Sequence, residues 1–241
     1  MSSVSVVTTF AKDHIDVYGK RFVNSFKKNC KHPLYLYAED FSSEEINHQV
    51  VDFYSSIPEH VKFKNYIEEQ ISSLNLKEQN RLRKALRWSY KSFVIIHALE
   101  TIKSDYVVWI DADVETINPV PDDLIEKLCG NYLMMCYPQK LDDGVHIESG
   151  FVIFNKNHPD IQTVINHYRR GYYLQQVLTI KKPWDGYWLA NLISQDIKIK
   201  EKINHVHTPF SNIRPYFKHH VGKQKFSVTP LNKFSGRIEN T

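Results

Sequence analysis

The chain has 241 residues, 42% of them hydrophobic and 24% charged, enough for a sizeable core with a hydrated surface. Its 31 basic and 27 acidic residues leave a net charge of +4, too mild an excess to define a nucleic-acid binder. Only eight residues are glycine, none closer than six positions to the next, which excludes both common glycine-rich phosphate loops.

The elements follow in chain order. Val4 to Phe10 is β-branched and reads as a buried strand. Asp16 to Asn29 carries Val17, Phe22, Val23 and Phe26 at helical spacing. Pro33 to Ala38 predicts a second strand and Val50 to Tyr54 a third. Glu59 to Thr101 reads as helix, broken near Asn75 or Asn80, with cations at Arg81, Arg83, Lys84, Arg87 and Lys91. Most of those cations fit a solvated helix face, and one or two fit a phosphate contact. Asp105 to Ile110 is strongly strand-like and ends at Asp111-Ala112-Asp113. Tyr132 to Cys136 and Phe151 to Phe154 predict further strands. Pro159 to Tyr173 and Trp184 to Ser194 predict helices, and the tail from Lys218 is basic and irregular.

This alternation predicts an α/β fold with a mostly parallel central sheet. No repeat or linker-like segment divides it, so a single domain is expected. The three cysteines are odd in number and lack C-x-x-C spacing, which argues for reduced thiols in a cytoplasmic protein. No signal peptide or membrane span is read in the sequence.

Asp111 and Asp113 directly follow a run of core residues. At i and i+2 of a strand both carboxylates face one side, where mutual repulsion calls for a cation. Hard oxygen ligands favour Mg²⁺ or Mn²⁺, and the carboxyl end of a strand is where open α/β sheets bind ligands. The bland alternative is a pair of turn residues.

With these residues in view, the sequence resembles nucleotide-sugar glycosyltransferases of the GT-A fold, and is most similar to family 8, the glycogenin and lipooligosaccharide galactosyltransferase group. Four segments carry the resemblance. Val6 to Tyr18 is similar to that family's first strand and nucleotide-contacting loop, which implies donor contacts from Thr8, Thr9 and Tyr18. Tyr90-Lys91 stands in the place of a Tyr-Ala-Arg segment, implying that Lys91 meets the donor phosphate. Glu148 to Asn155 resembles an Asn-Ser-Gly strand facing the donor sugar, with Ser149 and Gly150 matched and Glu148 in place of Asn. His219-His-Val-Gly222-Lys-Gln-Lys225 matches H-x-x-G-x-x-K, although Phe226-Ser227 replaces the usual Pro-Trp. By that resemblance His219 joins Asp111 and Asp113 as metal ligand, while Ala112, Gly222 and Lys225 lie on the diphosphate. His220 is an adjacent alternative whose spacing to Gly222 does not fit.

The implied architecture is a Rossmann-like sheet flanked by helices: a nucleotide-binding half over residues 1–113, then a less regular acceptor half with a metal- and diphosphate-binding tail over 114–241. Asp185 stands where the family carries an Asp near the reacting sugar, but is equally a helix N-cap. Trp184, Tyr187 and Trp188 read as a sugar platform or as core. Glu148, replacing an amide, is a candidate base or nucleophile. The implied activity is metal-dependent transfer, with retention of configuration, from a nucleotide-diphosphate sugar, a UDP-sugar favoured, to a glycan or other hydroxyl acceptor. The basic helix also admits hydroxylated bases of DNA as acceptor, and a non-catalytic nucleotide-sugar binding protein is a third reading.

Overall fold

The computed structural model describes residues 2–141, 144–206, 208–220 and 222. β1 (Val4–Phe10) enters a tight turn over Ile15–Gly19 before α1 (Lys20–Asn29). A Cβ on Gly19 would lie 2.6 Å from the Phe10 ring, so only glycine lets the turn fold back onto the strand. Next come β2 (Leu34–Ala38), α2 (Ser43–Ile46) and β3 (Val50–Asp52). The predicted third strand is cut short, because Asp52 accepts a hydrogen bond from the Ser55 N–H at 2.7 Å and starts α3 (Phe53–Ser56).

α4 (Pro58–Ile71) and α5 (Leu76–Thr101) make up the predicted broken helical stretch. The break falls at Asn75, whose side chain accepts from the Glu78 N–H at 3.0 Å and caps α5. β4 (Tyr106–Ile110) follows with every residue buried, then β5 (Val114–Thr116) and α6 (Leu124–Cys129). β6 (Met134–Leu141) and β7 (Gly144–Asn155) lead to α7 (Ile161–Tyr172), α8 (Asp185–Gln195) and α9 (Ile197–Lys200). β8 (Ile203–His205) and β9 (Phe217–His219) complete the described elements.

Seven strands form the main sheet in the order β3-β2-β1-β4-β7-β6-β8, and β5 pairs with β9 in a second, two-stranded sheet. β3 to β4 run parallel, as do β6 and β8, while β7 is antiparallel to both neighbours. The strand order reverses at β1, with β2 on one side and β4 on the other, and such a switch point leaves a crevice beyond the strand ends.

Apolar residues pack on both sides of the sheet. One cluster joins Phe93, Ile96 and Leu99 of α5 to Tyr168 and Leu189. The other joins Phe22 and Phe26 of α1 to Val108, Phe151 and Phe217. Gly171 is a packing residue rather than a helix terminator: a Cβ there would overlap the Trp188 indole. Trp188 is itself core, stacked on His167 with ring centroids 4.5 Å apart. That removes it from the expected sugar platform and leaves Trp184 and Tyr187 half-buried.

Candidate active site

The site is assembled where β4 ends against β7. The Asp111 N–H donates to the Gly150 carbonyl at 2.8 Å, extending the β4–β7 ladder by one bond. The chain then turns, with the Val114 N–H donating to the Asp111 carbonyl at 3.0 Å. Asp111 and Asp113 therefore converge through a turn rather than through the strand pleat expected from their spacing.

β5 leaves that turn and pairs antiparallel with β9 in the register Val114↔His219. This pairing brings His219, more than a hundred residues away in sequence, beside the carboxylates. His219 Nε2 lies 3.2 Å from Asp113 Oδ1. One potential ligand atom from each of Asp111, Asp113 and His219 falls within 4.8 Å of the others. His220 turns the other way, with Nε2 2.8 Å from Glu115 Oε2, so His219 alone of the two joins the cluster. Burial disfavours charge on His219, but Asp113, Asp111 and Glu148 together raise its pKa above the ordinary imidazole value. Two carboxylates and one imidazole at this separation could hold a metal ion.

Beneath the cluster lies a buried cation. The Lys91 ammonium sits 3.0 Å from Asp111 Oδ1 and 3.1 Å from Asp185 Oδ2. It also donates to Ser149, to Oγ at 2.9 Å and to the carbonyl oxygen. Ser149 Oγ donates in turn to Asp185 Oδ2 at 2.6 Å. Burial alone would lower the Lys91 pKa; Asp111 and Asp185 overcome it and hold the ammonium charged. The three ammonium protons are thus occupied by protein acceptors. The Trp109 indole N–H adds a donor to Asp111 Oδ1 at 2.6 Å, and Lys91 lies 5.1 Å from that ring's centroid. Asp185 opens α8, and its carboxylate faces inward on Lys91 and Ser149. That contact set is the one a buried ion pair uses, and no helix-capping hydrogen bond is made there.

The register between β6 and β7 makes room for this. It passes from Met135↔Ile153 to Tyr137↔Glu148, so Cys136 alone spans the stretch in which β7 runs from Ser149 to Val152. Such a bulge re-aims side chains. Glu148 Oε1 accepts the Gly150 N–H at 3.1 Å. A Cβ on Gly150 would come within 3.1 Å of the Phe210 ring and 3.2 Å of His219 Cε1. Gly150 is therefore held to glycine by the ring that reaches the metal cluster.

Of the residues expected to contact a nucleotide, Thr8 and Thr9 lie in β1 and Tyr18 in the turn that follows it. Thr8 is fully buried with no hydrogen-bond partner for Oγ1 among the described residues. Thr9 Oγ1 lies 2.9 Å from the Tyr37 carbonyl and 3.1 Å from Glu39 Oε1. Burial, followed by the negative charges of Asp113, Glu39 and Asp111, keeps the Tyr18 phenol protonated far above its usual range. Gly222 adopts φ +55°, with nothing among the described residues within 4 Å of where a Cβ would stand, and Lys225 lies outside the described residues. Two groups near the site were not read from the sequence. Glu39 had a usable signal, as an acid directly after a predicted parallel strand. His146, two residues before Glu148 and 4.8 Å from the Tyr187 ring, had none.

No protein-family model and no curated protein sequence matches the chain. Solved structures do. The chain overlays over 92% of its length on the glycosyltransferase GlyE of Streptococcus pneumoniae TIGR4, at a TM-score of 0.53 and 12% identity, covering 56% of that chain. It overlays over 87% of its length on the bifunctional glycosyltransferase WbbM, at a TM-score of 0.50 and 12% identity, covering 39% of that chain. The chain thus spans between about two-fifths and just over half of these proteins. The class this defines is one of fold: the molecule is an α/β protein with the GT-A glycosyltransferase architecture. Among the described residues no helix is long and apolar enough to cross a membrane.

Proposed function

We propose that the protein transfers a sugar from a nucleotide-diphosphate sugar, a UDP-sugar favoured, to a hydroxyl of a glycan or similar acceptor, with a divalent cation held by Asp111, Asp113 and His219. The observation that carries this reading is the meeting of those three side chains, from the end of β4 and from β9, at the switch-point crevice of a GT-A fold. A bound Mn²⁺ or Mg²⁺ supplies positive charge to the departing diphosphate.

The protein's own residues divide the remaining work. Lys91 fixes Asp111 and Asp185 on either side of Ser149, which sets the distance between the metal-holding and sugar-facing sides. Lys91 acts here as an internal counter-ion and not as a direct phosphate ligand. Asp185 faces positive charge developing on the anomeric carbon. Its contacts with Lys91 and Ser149 fall on Oδ2, leaving Oδ1 for the sugar. Glu148, at the bulge beside Gly150, is placed to meet the reacting centre or the acceptor proton. In the transfer, the acceptor oxygen bonds to the anomeric carbon. The diphosphate leaves with the electron pair of its glycosidic bond, and the hydroxyl proton passes to a base. Retention of configuration is the outcome expected from the family 8 resemblance. Thr8, Thr9 and Tyr18 border the nucleotide, Ser149 and Gly150 face the donor sugar, and Ala112, Gly222 and Lys225 complete the diphosphate side.

The test is a thermal-shift screen of nucleotide sugars with and without Mn²⁺. A donor at a hundred times its Kd stabilises by about 2.7 kcal/mol. At roughly 0.5 kcal/mol per degree for a chain of this size, that is a rise of about 5 °C. Asp113→Ala should abolish the metal-dependent part, and its survival in that variant would overturn the assignment. Turnover of Glu148→Gln at the wild-type rate would remove Glu148 from the chemistry.

A further inference from the structure

Glu39 directly follows β2, and β2 is separated from β4 by β1 alone. With neighbouring strands about 4.8 Å apart, its backbone stands on the order of 10 Å across the sheet from the strand end that carries Asp111. The register sets Thr9 beside Tyr37, so Glu39 stands two residues further along the same strand direction, at the carboxyl ends of the parallel strands.

The carboxylate is short of hydrogen-bond donors. The Thr9 hydroxyl is 3.1 Å from Glu39 Oε1 but also 2.9 Å from the Tyr37 carbonyl, and its single proton cannot serve both. No other side-chain donor is within hydrogen-bond distance of Glu39 among the described residues. The group is partly enclosed, and burial pushes its carboxyl up to about 7. An enclosed carboxylate with spare acceptor capacity is costly unless donors arrive from outside. Its place directly after β2 is at the carboxyl end of the parallel strands, the end that the proposed function assigns to a nucleotide.

We infer that Glu39 accepts hydrogen bonds from the ribose hydroxyls of the donor and so selects a ribonucleotide over a deoxyribonucleotide. The inference rests on the nucleotide-sugar reading above. Its reach fits: some seven covalent bonds separate a metal-held phosphate from the ribose hydroxyls, roughly 8 Å at about 1.2 Å of advance per bond. The acid at the carboxyl end of the second strand of a Rossmann unit meets a ribose by the same placement, one strand over from the phosphates. Glu39 is on this account a specificity residue, separate from the groups that hold the metal or face the anomeric carbon.

Isothermal titration with UDP, 2′-deoxy-UDP, 3′-deoxy-UDP, CDP and GDP, all with Mn²⁺, tests it on the wild-type protein, Glu39→Gln and Glu39→Ala. Wild type should prefer UDP to at least one deoxy analogue by about 10-fold or more, the worth of a hydrogen bond to a charged group. Glu39→Ala should bind UDP and that analogue within about twofold of each other, and Glu39→Gln should fall between. Glu39→Gln keeps an acceptor for Thr9, so it remains informative if the alanine variant folds poorly. Three results would overturn the inference: wild type binding UDP without ribose preference, Glu39→Ala retaining that preference, or substitutions that instead reorder affinities among UDP, CDP and GDP. Failure of wild type to bind any of these nucleotides removes the nucleotide reading itself, and the inference with it.

Discussion

Lys91 gives the sharpest separation between two accounts of the site. If its ammonium is an internal counter-ion, replacing it with methionine leaves Asp111 and Asp185 enclosed without the cation they flank. The substitution keeps most of the side-chain volume and the packing against Trp109, so the loss is electrostatic. Removing one partner of a buried ion pair costs about 3–5 kcal/mol, because the other charge stays buried. For 241 residues the unfolding entropy is roughly 0.5 kcal/mol per degree, so Tm should fall by about 6–10 °C. The fall should be present without any ligand and should shrink on adding Mn²⁺, which replaces part of the missing positive charge. Differential scanning calorimetry of metal-free protein, with and without added Mn²⁺, reads both effects. A phosphate-contacting lysine behaves differently: metal-free Tm would hold within about 2 °C while donor affinity dropped. That outcome would refute the counter-ion account.

Two other substitutions probe the surroundings. Gly150→Ala brings a methyl group within 3.1–3.2 Å of the Phe210 and His219 rings, so His219 must shift by some tenths of an ångström. Overpacking of this kind costs about 1–3 kcal/mol, and disturbing a ligand's support should weaken Mn²⁺ binding by about tenfold or more; unchanged affinity by calorimetric titration would show that Gly150 does not set the ring. For Glu39 the pH dependence has a definite sign: its folded-state carboxyl is raised from 4.5 to about 7, so its contribution to stability is full at low pH and is lost as pH rises through that window. The loss amounts to about 3 kcal/mol by pH 8. Glu39→Gln should therefore match wild type near pH 5 and melt about 6 °C higher at pH 8, and a Tm difference indifferent to pH would contradict it.

The sheet and the two segments that bring Asp111, Asp113 and His219 together were legible because each rests on a local pattern. Val4 to Phe10 and Tyr106 to Ile110 are runs dominated by β-branched and aromatic residues, long enough to fill the sheet interior, and both are strands. Asn75 broke the long helix because an Asn followed three residues later by Glu is a capping signal. What failed depended on partners distant in sequence. β7 is much longer than the predicted Phe151–Phe154, since its first half carries His146, Glu148 and Ser149 and only the β6 hairpin makes it a strand. Lys91 read as a solvated or phosphate-facing cation, because nothing nearby in sequence reveals that α5 is enclosed on all sides from Lys91 to Ile96. Trp188 and Gly171 interlock across two helices, and neither residue alone signals the other.

The shortage of glycine and the buried charges belong together. A glycine-rich loop neutralises phosphate with backbone N–H groups that approach closely because no Cβ intervenes. In this fold the strand ends carry side-chain charge instead. Asp111, Asp113 and Asp185 are set against one ammonium at Lys91, an excess of two negative charges, which is the charge of one divalent ion. The neighbouring carboxylates, Asp113 foremost, raise the His219 pKa against the effect of burial, as expected of a site that favours positive charge. The excess lies where water is largely excluded, so its demand for a cation is stronger than the same groups would have on the surface. On the proposed function this fixes an order. A diphosphate approaching the metal-free crevice meets like charge, whereas the same crevice carrying a divalent cation is close to neutral. Nucleotide affinity should then depend on the cation far more steeply than electrostatic screening by monovalent salt could explain, because the protein's own positive charge at Lys91 is already committed to its carboxylates.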